Sequence, residues 1–147
     1  MTGEAAHHSV SVAGVVIDEN GRTLVIQRRD NGHWEPPGGI LERDESIIEG
    51  LLREVREETG LVVEPVTLTG VYKNMRLGVI ALVFMCRPAG GALTENSEAA
   101  GFRWILESDV STIMSEAFAI RILDAYRDNA KPSIQDHDGV KLIAPTR

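Results

Sequence analysis

The sequence predicts an α/β protein in which a mixed β-sheet is held between helices. Three observations lead there. β-Branched apolar runs lie near the start and through the middle of the chain, a helical periodicity takes over between about 46 and 59, and a second amphipathic segment follows the last strong run. The order ββ-loop-α-βββ-α contains strands such as VIALVF, apolar on successive residues, which need both faces covered. Helices on either side provide that cover.

Each element has a local reason. SVSVAGVVIDENGRTLVIQRR is two apolar runs around Asp-Glu-Asn-Gly, with Gly where a turn tolerates positive φ, so strands are expected over 10–17 and 23–28 with a turn at 18–21. DNGHWEPPGG is too rich in Gly and Pro to continue either strand or helix, and is expected to be a loop. Ser46 and Glu49 form a capping-box signature and Thr59-Gly60 a stop, which bounds a helix at 46–59. Ile48, Leu51, Leu52 and Val55 recur at helical spacing and are expected to face the core. Gly50 interrupts that helix and implies close packing against a neighbour. LVVEPVTLTGVYKN and GVIALVFMCR are strands joined through MRLG, and GFRWIL is a shorter one. PAGGALTENSEAA reads as a loop, SEAFAIRILDAYRDNA as a helix with Phe118, Ile122 and Tyr126 on one face, and KPSIQDHDGVKLIAPTR as a weakly patterned tail able to add a short strand.

With 147 residues the chain fits one domain, 1–147, with 1–8 and 131–147 expected to be peripheral or flexible. No apolar run approaches the roughly 20 residues that span a bilayer, and MTGEAAHHSV lacks the features of a secretory signal, so a cytoplasmic setting is expected. The formal net charge of −7, with no block of Lys or Arg, argues against nucleic acid as the main partner and against a membrane surface. Cys86 is the single cysteine and sits in an apolar run, which suits a buried structural thiol. His7, His8, His33 and His137 show no zinc spacing, and Asp136-His137-Asp138-Gly139 reads as a turn. A homodimer stays open as an assembly state.

The helix 46–59 raises a chemical question. At about 100° per residue, Glu54, Glu57 and Glu58 fall within one arc at the rim of the apolar stripe, and neighbouring carboxylates repel by roughly 0.2–0.5 kcal/mol per pair. Clustered oxygens without His or Cys suit hard divalent cations, Mg²⁺ or Mn²⁺, which would relieve the repulsion. The bland alternative is a solvated acidic helix face. Against it stand Gly38 and Gly39, which follow a double Pro and allow close backbone approach to an ion or phosphate. Arg53, at i,i+4 from Glu57, is placed to hold a carboxylate in a fixed rotamer, and Glu45 lies at the other end of the same turns.

The segment GGILERDESIIEGLLREVREETGL resembles the Nudix box, G-x5-E-x7-R-E-U-x-E-E-x-G-U, where U is a bulky aliphatic residue. Gly39, Glu45, Arg53, Glu54, Val55, Glu57, Glu58, Gly60 and Leu61 fill every specified position. Many relatives have Gly where Asp44 stands, a departure that removes no ligand. The resemblance implies a Nudix-type α/β/α sandwich with a mixed sheet, and hydrolysis of the diphosphate linkage in a nucleoside diphosphate joined to another moiety. It further implies the Gly39 carbonyl, Glu54, Glu57 and Glu58 as metal ligands or water activators, with Glu45, Arg53 and Gly38 supporting the loop–helix geometry.

Relatives often add a Glu six residues before a Trp, which Glu98 and Trp104 match, with Glu95 as the fallback. Proton acceptance is placed on Glu54, Glu57 and Glu98 in that order, with Arg53 as their catalytic partner. Arg28 and Arg29 stand where relatives often bind phosphate, and one of the two is expected to point to solvent, since adjacent strand residues face opposite ways. Trp34 either stacks on a base or anchors its loop; Trp104 suits the core. Substrates of the nucleoside triphosphate (MutT-like) or ADP-ribose type are favoured, without a subgroup mark to choose between them. A non-catalytic Nudix-like module that binds a nucleotide for regulation is the second reading; such modules usually lose box carboxylates, and none is lost here.

Overall fold

In the computed structural model, which describes residues 5–128 and 130–144, the strands form two sheets. The elements in chain order are β1 (Ser9–Val16), β2 (Thr23–Arg28), β3 (Trp34–Glu35), β4 (Gly38–Ile40), α1 (Ile47–Thr59), β5 (Leu61–Asn74), β6 (Val79–Gly91), β7 (Ala99–Ile105), a 3-10 turn at Glu107–Asp109, α2 (Val110–Ile113), α3 (Glu116–Ala125), β8 (Ser133–His137) and β9 (Leu142–Ile143). Among the described residues a six-stranded mixed sheet runs β4-β1-β6-β5-β8-β9, and a three-stranded antiparallel sheet runs β3-β2-β7. β1 lies parallel to β6, and β5 parallel to β8.

The turn expected at 18–21 is present, closed by Asp18 Oδ1, which accepts the N–H groups of Asn20 and Arg22 at 2.9 Å each. The strands it joins meet only at the Ile17–Thr23 bridge, then part into different sheets. The span DNGHWEPPGG is not wholly loop. Around Pro36-Pro37, Trp34 and Glu35 pair with β2, while Gly38–Ile40 pair with β1 as an edge strand. Short edge pairings are where Pro-flanked backbone can still meet a ladder.

Alternate residues of β1 serve two cores. Val12 and Val16 join Leu51 and Val55 of α1 on one face; Ala13 and Val15 join Tyr72, Val83 and Ile122 on the other, beneath α3. This is the sheet-between-helices arrangement that the sequence predicts. Cys86 is buried in the first cluster. At Gly14 an added Cβ would sit 3.1 Å from Val55, so α1 approaches β1 closely.

The buried stripe of α1 is narrower than expected. Leu51 and Val55 are fully buried, but Ile48 and Leu52 are 42% and 37% exposed. The helix turns its Gly50, Glu54 and Glu58 side inward instead. Gly50 is there for contact: an added Cβ would run into Leu41 and Glu45. The short helix α2 escapes sequence detection because four residues cannot show a period. Of the C-terminal stretch 131–147, Ser133–His137 is an internal strand of the large sheet and His137 is fully buried, so this part is not peripheral. Residues 1–4 and 145–147 lie outside the described residues.

Candidate active site

Both ends of α1 are fixed by local chemistry. Ser46 Oγ accepts the Glu49 N–H at 3.2 Å and Glu49 Oε2 accepts the Ser46 N–H at 3.5 Å, which completes the capping box. At the other end Gly60, with φ 84°, donates to the Arg56 carbonyl at 2.7 Å. The rotation of α1 is therefore set, and Glu54 and Glu58, one turn apart, face the edge strand β4.

The glycines of β4 let the helix arrive there. Gly38 donates its N–H to Glu58 Oε1 at 2.6 Å. An added Cβ at Gly38 would strike the Val12 carbonyl, and one at Gly39 would strike the Glu54 carboxylate. Bare backbone is required by β1 at Gly38 and by Glu54 at Gly39.

Arg53 organises the acids. Its Nε and Nη2 donate to the two oxygens of Glu45 at 2.9 and 2.6 Å, Nη2 also to the Ile40 carbonyl at 3.1 Å, and Nη1 to Glu54 at 2.8 Å and Glu57 at 3.2 Å. Glu45 also accepts the Glu42 N–H at 2.8 Å. Hydrogen bonding to Arg53 first, then to Glu42, brings the Glu45 carboxyl down to about 2. One guanidinium thus ties the loop before α1 to the acids of its middle turns.

Arg28, Arg29, Gly38, Gly39, Glu54, Glu58 and Glu98 line one open cleft of about 680 Å³. Glu54 and Glu58 are 8% and 5% exposed. Burial pushes Glu58 up to about 8 against the Gly38 hydrogen bond, and the charges of Glu54, Glu35 and Glu98 push the same way. Burial also raises Glu54, opposed by Arg53, with Glu57 and Glu98 adding to the rise. The cleft therefore concentrates negative charge in poorly solvated surroundings.

Glu57 stands beside Glu54, sharing Arg53 Nη1 with it, but on the more exposed side of the helix. Three residues along a helix is a rotation about 60° short of a full turn, so its side chain leaves the Glu54–Glu58 line; it is 56% exposed and engaged by Arg53. Among the described residues no three His, Cys, Asp or Glu side chains stand close enough to form a ready-made cation site. The donor set nevertheless fits a hard divalent cation: carboxylate oxygens and backbone carbonyl, no sulfur or imidazole, and a surplus of like charge.

Arg28 and Arg29 both line the cleft, although only Arg29 is exposed. Arg29 follows the last residue of β2, so strand alternation no longer sends the two apart. Arg28 pairs with Asp30 at 2.6 Å and Glu35 at 3.3 Å. Trp34 lies outside this cleft, half-buried against the α3 core, with the Arg103 guanidinium 5.5 Å from its ring. Trp104 is packed against the α1 core, and Glu95 is an exposed loop residue outside the cleft.

Asn96 is the residue that sequence reasoning missed. Its Nδ2 donates to the Glu58 carbonyl at 2.6 Å and its Oδ1 accepts the N–H groups of Glu98 and Ala99 at 2.9 Å each, so it clips the Glu98 loop to the end of α1. Arg29 adds an N–H to the Glu98 carbonyl at 3.0 Å. The available signal was Asn two residues before Glu98, the spacing of an Asx turn.

Known proteins resemble this chain over most of its length. Residues 7–126 match the model of the NUDIX domain. A MutT-like protein of Streptomyces ambofaciens is 54% identical over 136 residues, covering 92% of this chain and 88% of that protein. The 8-oxo-dGDP phosphatase NUDT18 of Mus musculus is 41% identical over 91 residues, covering 60% of this chain; the match spans only 28% of that protein's length. The crystal structure of an ADP-ribose pyrophosphatase from Streptococcus suis superposes with a TM-score of 0.72 over 87% of this chain and 99% of that one, at 23% identity. On the domain match and the extent of these likenesses, the chain belongs to the Nudix hydrolase family.

Proposed function

We propose that this hydrolase splits the diphosphate linkage of a small nucleotide, a nucleoside diphosphate carrying a further phosphate or sugar, with Mg²⁺ or Mn²⁺ as cofactor. The observation that carries this reading is the buried pair Glu54 and Glu58, one turn apart against the bare backbone of Gly38 and Gly39, with Glu98 and two arginines in the same cleft.

The Gly39 carbonyl, Glu54, Glu57, Glu58 and Glu98 would hold the cation, Glu54 and Glu57 through the carboxylate oxygens that Arg53 leaves free. A divalent cation there supplies charge neutralisation for phosphate oxygens and acidification of a water molecule. Arg28 and Arg29 bind the phosphate chain from the opposite wall. Arg53 keeps Glu54 in one rotamer, able to accept a proton from the attacking water, and Glu45 keeps Arg53 in place. Asn96 holds the Glu98 loop at its distance from α1.

The test is a panel of nucleoside triphosphates, nucleoside diphosphates, ADP-ribose and nucleotide sugars with the purified chain in Mg²⁺ and in Mn²⁺, assayed for release of a nucleoside monophosphate. At least one compound is expected to be cleaved, with Glu54→Gln reducing the rate by two orders of magnitude or more. Silence across the panel in both metals would instead favour a nucleotide-binding module.

A further inference from the structure

The large sheet is covered unevenly. On one side Tyr72 of β5 reaches Asp124 and His137 of β8 reaches Arg121, so α3 roofs both strands. Strand alternation sends Val71, Lys73, Ile134 and Asp136 to the opposite side, the one that carries α1. The core beneath α1 contains no residue of β8 or β9, and Val71 and Ile134 belong to neither core cluster. Ile134 is 80% exposed.

The helix α1 adds to this open half. Its Glu54 faces β4, and Ile48 and Leu52 lie roughly 120° and 160° around the helix from it. That flank looks along the sheet toward β6 and β5, and both side chains on it are exposed. An apolar surface therefore runs from Ile48 and Leu52 across β6 and β5 to Ile134. Scattered exposed apolar residues are ordinary, whereas a contiguous face of this kind marks an interaction surface.

Two charges sit within it. Lys73 and Asp136 are register partners on the parallel strands β5 and β8, in the row next to Val71 and Ile134. Among the described residues neither makes an ion pair or a side-chain hydrogen bond. One lysine beside one aspartate offers little to a partner of a single sign, but it complements its own two-fold image. A two-fold axis parallel to the strands, above the boundary of β5 and β8, reverses the strand order and keeps the rows. Lys73 then lies over Asp136 of the second copy, Asp136 over its Lys73, and each Val71 over an Ile134. Strands stay aligned in such a stack, as in face-to-face sheet packing generally.

We propose that this face is a homodimer interface, closed by two reciprocal Lys73 to Asp136 ion pairs around an apolar centre of Val71 and Ile134. The acidic cleft lies on the β4 flank of α1, away from this face. The inference is independent of the hydrolytic reading, and neither falls with the other.

Sedimentation velocity of the full chain over about 1–200 µM is expected to show a reversible monomer to dimer equilibrium. Ile134→Glu, at a position open to solvent in the single chain, is expected to weaken association at least about tenfold by burying an unpaired carboxylate. Lys73→Glu is expected to weaken it comparably by setting acid against acid. Lys73→Glu combined with Asp136→Lys restores the pairing with its signs exchanged, and is expected to return the dimer constant to within about threefold of wild type. Circular dichroism confirms that each variant is folded. Methyl NMR of the wild type reads the same surface without a substitution: dilution is expected to move the Ile134 and Val71 signals. A monomer across the whole range, a dimer that Ile134→Glu leaves intact, a folded double variant that does not re-associate, or dilution shifts confined to other surfaces each overturns the inference.

Discussion

The backbone N–H of Gly38 reaches Glu58 Oε1 at 2.6 Å, so the edge strand and the last turns of α1 are joined through a carboxylate that is 5% exposed. A side chain at Gly38 would run into the Val12 carbonyl and Ala13, so glycine is what lets this strand lie close against β1. At its neighbour Gly39 an added Cβ would run into the Glu54 carboxylate.

Gly39→Ala is therefore expected to displace the Glu54 carboxylate rather than merely crowd it. Overpacking of this kind costs about 1–3 kcal/mol of stability. Misplacement of a catalytic group by about 1 Å costs on the order of a hundredfold in rate. Denaturant unfolding and kcat measured side by side check both; a rate within a fewfold of wild type would show that the Gly39–Glu54 approach is dispensable.

Arg53→Lys is expected to lower kcat on the order of ten- to a hundredfold while the chain stays folded. A lysine keeps the charge but cannot donate to both oxygens of Glu45 and to Glu54 at once. Glu45→Gln is expected to produce a weaker effect of the same kind, because it leaves Arg53 one good acceptor. Steady-state kinetics with a circular dichroism control distinguish this from unfolding.

Local signals carried much of the design into the sequence. The capping box at Ser46 and the stop at Gly60 set α1 within one residue, and the spacing of Glu54, Glu57 and Glu58 puts all three within one arc, of which Glu54 and Glu58 are buried. What escaped was non-local. The hydrophobic period included Ile48 and Leu52, but α1 lies against a strand of bare glycines, so the buried face shifted toward the acids. The separation of β1 from β2 depends on pairing with β6 and β7, far along the chain. Arg121 sits in a helical pattern where a charged residue ordinarily marks solvent, and it is buried by Tyr72 of β5, Phe118 of its own helix and His137 of β8.

Asn96→Ala is expected to loosen the Glu98 loop. The four hydrogen bonds it removes leave two carbonyls and two N–H groups without their partner, at about 1–3 kcal/mol of stability. The sharper test is a double-mutant cycle with Glu98→Gln. If Asn96 acts by positioning Glu98, the second substitution should cost much less in the Asn96→Ala background than in the wild type. Full additivity would assign Asn96 a structural role only.

His137 gives a stability component with a defined sign. Burial lowers its pKa from 6.5, the Arg121 charge lowers it further, and Asp138 and Asp136 oppose. The unfolded chain therefore takes up the proton first. The contribution is complete above about pH 6.5 and is lost as pH falls through the folded value. Unfolding free energies of wild type and His137→Asn, which keeps an acceptor for the Gly139 N–H, are expected to differ in their pH slope below that point. Parallel slopes would mean that His137 does not titrate differently on folding.

Divalent cations are expected to stabilise the fold through the same acids that repel each other without them. Burial first, then the charges of Glu54, Glu35 and Glu98, push the Glu58 carboxyl up to about 8, so above that pH removing its charge should relieve the metal-free protein. Glu58→Gln keeps an oxygen for the Gly38 N–H while removing that charge. Its unfolding in the presence of a chelator is expected to require at least as much denaturant as the wild type. Mg²⁺ at a hundred times its Kd should add about 2.7 kcal/mol to the wild type and clearly less to the variant. An equal Mg²⁺ increment in both proteins would place the cation elsewhere, because a carboxylate that serves only to accept from Gly38 would leave the metal response unchanged.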